Sequence, residues 1–70
     1  MKKIVSSVAG RIVACCVEEG AQVATGDEAF KVESMKMEIP VESEANGRIA
    51  RVLVAVGDEV GEGQELALLD

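Results

Sequence analysis

The sequence contains an internal repeat. Displaced by 37 positions, residues 10–33 (GRIVACCVEEGAQVATGDEAFKVE) fall over residues 47–70 (GRIARVLVAVGDEVGEGQELALLD), with identities at Gly10/Gly47, Arg11/Arg48, Ile12/Ile49, Val17/Val54, Gly20/Gly57, Val23/Val60, Gly26/Gly63 and Glu28/Glu65. Eight coincidences in 24 positions exceed the roughly two or three that this composition gives by chance. The chain is two copies of one supersecondary unit, and its fold must relate them by an approximate twofold.

Each copy contains Gly-x-x-Val-x-x-Gly, at 20, 23, 26 and at 57, 60, 63. The spacing predicts turn, short strand, turn, because glycine supplies the positive φ that tight turns require. On either side stand short runs rich in β-branched residues, IVACCV and AFKV in the first copy, IARVLVAV and LALL in the second. No stretch between turns is long enough for an amphipathic helix. The expected fold is all-β, with about eight short strands counted from the turn spacing. Neither copy can bury its apolar face alone, so residues 1–70 should form a single domain, a flattened antiparallel barrel or sandwich. Seventy residues lie near the lower limit for a core without disulfides or metal, and with Phe30 the only aromatic, that core must be aliphatic.

Between the copies lies VESMKMEIP, residues 32–40. Before Lys36 the large apolar residues occupy even positions, Phe30 and Val32; after it they occupy odd ones, Met37, Ile39 and Val41. A hairpin with Met35-Lys36 as a two-residue loop restores one apolar face, pairing residues whose numbers sum to 71: Ser34 with Met37, Glu33 with Glu38, Val32 with Ile39, Phe30 with Val41. Lys31, Glu33, Glu38 and Glu42 take the other face, and Pro40, lacking an N–H, fits an edge strand. Lys36 is thereby expected at the hairpin tip. Met-Lys is a poor pair for such a turn, where Asn, Asp and Gly prevail, so the tip serves something other than turn stability.

Several function classes are disfavoured. A net charge of −6 repels phosphate backbones and anionic lipid, so neither nucleic acid nor membrane is an expected partner. Without histidine there is no imidazole base and no His-containing metal site. The adjacent Cys15 and Cys16 cannot staple distant segments and read as small buried or half-buried residues. No nucleophile–base pair, phosphate-binding glycine loop or carboxylate cluster with metal spacing occurs, so no catalytic or metal residues are expected. No apolar run has the length of a bilayer span or a signal-peptide core, which reads as a cytoplasmic protein.

Glu33-Ser34-Met35-Lys36-Met37, flanked by the two half-repeats, resembles the Glu-Ala-Met-Lys-Met attachment signature of biotinyl (biotin carboxyl carrier) domains, in the biotinyl/lipoyl attachment family. The resemblance covers essentially the whole chain. The sequence departs from the family at Ser34, where alanine is usual, at Ser6-Ser7-Val8-Ala9-Gly10, which lacks the proline of Ala-Pro-x-x-Gly, and between Cys16 and Gly20, too short for the protruding thumb of some acetyl-CoA carboxylase carriers.

The resemblance implies that Lys36 is covalently biotinylated by a biotin protein ligase. As a non-catalytic carrier, the chain would move a carboxyl group between the biotin carboxylase and carboxyltransferase sites of a carboxylase acting on acetyl-CoA, pyruvate or a similar acceptor. Glu33, Ser34, Met35, Met37 and Glu38 would be read by the ligase. Two alternatives stand beside it: a lipoyl carrier of a 2-oxoacid dehydrogenase complex, whose tip is typically Asp-Lys-Ala, and an unmodified interaction module of the same fold. Two structural expectations follow from the repeat. The terminal strands, around Lys3 to Val5 and Glu65 to Leu69, should lie at the end opposite Lys36, and parity makes Cys15 more buried than Cys16.

Overall fold

Short alternating segments separated by glycine turns become eight strands in the computed structural model, which describes residues 2–70: β1 Lys2–Val5, β2 Gly10–Cys15, β3 Gln22–Val23, β4 Glu28–Ser34, β5 Met37–Glu42, β6 Gly47–Val52, β7 Glu59–Val60 and β8 Glu65–Leu69. The two-residue strands β3 and β7 lie between Gly20 and Gly26 and between Gly57 and Gly63, and all four glycines have positive φ. Two antiparallel four-stranded sheets result, ordered β1-β8-β6-β3 and β5-β4-β2-β7. Adding 37 to β1, β2, β3 and β4 gives β5, β6, β7 and β8, which turns one sheet order into the other. The short strands are exchanged, β3 pairing with β6 and β7 with β2, so each half completes the other's sheet.

The symmetry holds at the level of single pairs. Ile4↔Ala67, Lys3↔Leu68 and Lys2↔Leu69 in one sheet match Val41↔Phe30, Pro40↔Lys31 and Ile39↔Val32 in the other. It also begins earlier than residue 10. Ser6 and Ser43, both buried, donate Oγ–H to the carbonyls of Val8 (2.5 Å) and Ala45 (2.6 Å), closing equivalent turns. The first turn thus takes its repeat-mate's shape without the family's proline.

The core falls into six symmetry pairs, Ile4/Val41, Ile12/Ile49, Val23/Val60, Ala29/Leu66, Phe30/Ala67 and Val32/Leu69. Two of the pairs alternate in size: Ala29-Phe30 in one half is equivalent to Leu66-Ala67 in the other, all four fully buried. The large side chain of the two thus stands at different positions in the two halves, the kind of large–small alternation that fills a shared core to interior density. Each large buried side chain contributes about 1.5–3 kcal/mol.

The cysteines depart from expectation. Both are exposed. The register slip between Ile12 and Ala14 sets Cys15 opposite the buried Phe30, yet Cys15 is the last residue of β2 and stays exposed, and Cys16 lies past the end of that strand, its amide bonded to the Ala29 carbonyl. The terminal strands β1 and β8 pair in the sheet that does not contain the β4–β5 hairpin, and the twofold maps that hairpin onto them.

Candidate functional site: a lysine at a hairpin tip

The β4–β5 hairpin has the register parity predicts: Ser34↔Met37, Glu33↔Glu38, Val32↔Ile39, Lys31↔Pro40 and Phe30↔Val41. A bulge between Glu28 and Phe30 then brings Glu42 opposite Glu28 and turns Ala29 inward. Met35 and Lys36 form the two-residue loop with φ of 52° and 66°, the only positive-φ residues other than glycine among the described residues. Positive φ at both central positions is the demand of a type I′ turn, which matches strand twist but costs a non-glycine residue about 1–3 kcal/mol. Paired strands on both sides hold the turn in this conformation.

The tip projects beyond the core. Met35 is 92% exposed and Met37 66%, so Met37, which shares the parity of Ile39 and Val41, lies out of reach of their apolar face. Ser34 is half-buried at the base. Lys36 is exposed and, among the described residues, donates no hydrogen bond and meets no carboxylate. The other lysines are engaged: Lys2 Nζ donates to the Asn46 carbonyl (2.6 Å), Lys3 pairs with Glu65 (2.8 Å) and Lys31 with Glu28 (3.8 Å). A free ε-amine on a stiff base can act as a nucleophile toward an activated acyl group delivered from outside, and the flexible lysine stem needs no pocket.

The charge beneath the tip was only partly legible. Glu38, Glu33, Arg11 and Glu59 form a row across β5, β4, β2 and β7, all exposed. Arg11 makes no ion pair among the described residues, whereas its repeat-mate Arg48 bonds Asp70, the mate of Glu33. The Arg11/Arg48 identity was visible in the repeat; its place between Glu33 and Glu59 required the sheet register. At the other end of β4, the exposed Cys16 thiol is pushed up, first by desolvation and then by the Glu28 carboxylate 3.8 Å away.

Residues 2–69 match the family model described as biotin-requiring enzyme. The chain is 36% identical over 64 residues to the biotinylated protein TB7.3 homolog of Mycobacterium leprae (strain TN), covering 91% of this chain and 90% of that one. It is 37% identical over 65 residues to the mitochondrial propionyl-CoA carboxylase alpha chain of Sus scrofa, covering 93% of this chain and 9% of that one. A solved single-chain, multi-domain long-chain acyl-CoA carboxylase superposes with a TM-score of 0.85 at 32% identity, over 93% of this chain and 7% of that one. With its repeat, its two exchanged sheets and its lysine-tipped hairpin, the chain belongs to the biotin/lipoyl attachment family of biotin-requiring enzymes.

Proposed function

We propose that Lys36 is the attachment point of biotin and that the chain is a biotin carboxyl carrier, moving a carboxyl group between the biotin carboxylase and carboxyltransferase components of a biotin-dependent carboxylase. The observation that carries this reading is the Lys36 ammonium: free of partners among the described residues, on a turn fixed at both ends, between two exposed methionines. In the modification, the neutral ε-amine attacks the acyl carbon of ligase-bound biotinyl-adenylate. An amide C–N bond forms, the acyl–phosphate bond breaks, AMP leaves and the amine gives up a proton, so the side chain loses its charge. Bound biotin supplies a ureido nitrogen that takes up and releases the carboxyl group. The protein's own task is presentation: the sheets hold the hairpin base, and the tip extends clear of the body so that the arm can enter a partner's site.

Met35 and Met37 offer adaptable, polarizable contact to a ligase, and Glu33 and Glu38 a local negative label. The acceptor we propose is a coenzyme A thioester, supported by the acyl-CoA and propionyl-CoA carboxylases to which the chain is similar. Intact mass after co-expression with a biotin protein ligase tests the attachment. A single biotinyl increment is expected, and a lipoyl increment or an unmodified chain would overturn the reading.

A further inference from the structure

Beneath the hairpin, β2 begins at Gly10, whose φ lies outside the positive range occupied by the four turn glycines. Conformation does not require glycine there, but space does. A Cβ at position 10 would stand 2.2 Å from the Glu33 carbonyl oxygen and 2.8 Å from Val32 Cγ1. The oxygen belongs to the main chain of β4 and cannot swing aside, so any side chain would force the two strands apart. The twofold supplies a control. At the equivalent Gly47, a Cβ would stand 3.1 Å from the Asp70 carbonyl and 3.3 Å from Leu69 Cδ2, a tight contact that a small shift relieves. Of two equivalent crossings, the one under Lys36 is closed further.

Its place matters for the tip. Arg11↔Glu33 is the last pair joining β4 to β2; beyond it, Ser34 pairs only with Met37, and the turn begins. We propose that Gly10 is a positioning residue for the modification of Lys36. Its missing side chain lets β4 close on β2 at Glu33, and this closure sets the direction in which the two-residue turn leaves the sheet. The inference rests on Lys36 being the biotinylated lysine. Attack on an acyl carbon requires the reacting atoms about 3–3.5 Å apart, so a displaced hairpin base slows reaction inside the ligase complex.

The test is ligase kinetics with the carrier as varied substrate. Gly10→Ala is expected to lower kcat by about tenfold or more with KM within about threefold of wild type, and Gly47→Ala to leave both near wild type. Mere destabilisation gives another pattern: a smaller folded fraction raises the apparent KM and leaves kcat unchanged. A wild-type kcat for Gly10→Ala, or an equal fall for Gly47→Ala, overturns the proposal. If circular dichroism shows Gly10→Ala largely unfolded, the assay is repeated in trimethylamine N-oxide, which favours the compact state. A kcat still about tenfold low in the refolded chain supports the positioning role. A wild-type kcat in the refolded chain, or a chain that will not refold, overturns it by making Gly10 a residue of the fold alone. Wild-type chain that takes no biotin at Lys36 instead sinks the attachment reading, before any variant is compared.

Discussion

The β4–β5 hairpin and the β8–β1 pair are one structure built twice, with matching registers and matching buried residues. They differ where the hairpin continues past the paired strands. There the chain adds Met35 and Lys36, both at positive φ, and leaves the flanking Glu33 without an ion-pair partner among the described residues, while the repeat-mate Asp70 is bonded to Arg48. The comparison separates what the fold needs from what the site needs. Everything common to both halves makes a rigid base, and among the described residues the strained turn with its free lysine occurs once.

The sharpest way to break the comparison is through the shared core. Phe30→Ala should destabilise by about 3–5 kcal/mol and Leu66→Ala, in the other half, by about 2–5 kcal/mol, measured by urea unfolding. Against a total of about 5–15 kcal/mol for a natural domain, either loss threatens the whole fold. Unfolding in two separate steps, or one substitution without effect, would show that the halves do not share a core.

A second test acts on the turn alone. Replacing Met35-Lys36 by Asn-Gly supplies residues that accept positive φ and should stabilise the protein by about 1–2 kcal/mol while removing the lysine proposed as the attachment point. Thermal unfolding should rise by about 4–8 °C for each kcal/mol in a chain of this size. A lower melting temperature would mean that the native turn is not strained.

Charge gives a smaller effect, of opposite sign at equivalent positions. Glu33→Gln relieves repulsion from Glu38 and should stabilise by about 0.2–1 kcal/mol. Asp70→Asn weakens the bond to Arg48 and should destabilise by up to about 1 kcal/mol. Both differences should shrink in 1 M salt, where screening acts over about 3 Å. Equal signs at the two positions would contradict the asymmetry.

The smallest effect concerns Cys16, whose repeat-mate is Leu53. Because the folded thiol keeps its proton to higher pH than the unfolded one, stability is fully present below the ordinary thiol range and is lost as pH rises through the raised value. In a Cys15→Ser background, native alkylation of Cys16 should have a midpoint above that of a free thiol, and Glu28→Gln should lower it part of the way, leaving the part due to desolvation. An unchanged midpoint would remove Glu28 from the account.

Where side chains alternate without interruption, the sequence was legible down to single pairs. The change of apolar parity at Met35-Lys36 predicts every partner from Ser34↔Met37 to Phe30↔Val41 because no bulge intervenes. Parity missed the exposure of Cys15 and Cys16 because it gives a face and not a depth: Cys15 stands opposite the buried Phe30 but at the last residue of β2, and Cys16 lies beyond the strand. The extension of the repeat to Ser6/Ser43 is hidden in the sequence because the flanking residues differ. Only their hydrogen bonds show that Val8 and Ala45 play the same part. Gly10 appeared in the repeat as an identity with Gly47, yet the closer approach at Gly10 depends on the path of β4, which one-dimensional matching does not contain.

The central claim is that position on the hairpin, with the neighbouring methionines, makes Lys36 the biotinylated lysine. Wild-type protein, Lys36→Arg and the displaced variant Met35→Lys with Lys36→Met should each be co-expressed with a biotin protein ligase, then compared by intact mass and peptide mapping. The account predicts one biotin on wild type, confined to the peptide containing Lys36. It predicts none on Lys36→Arg, which should fold as wild type because a guanidinium keeps the charge but does not attack the adenylate, and a sharp loss on the displaced variant. Substantial biotin on Lys36→Arg, carried by Lys2, Lys3 or Lys31, would contradict it.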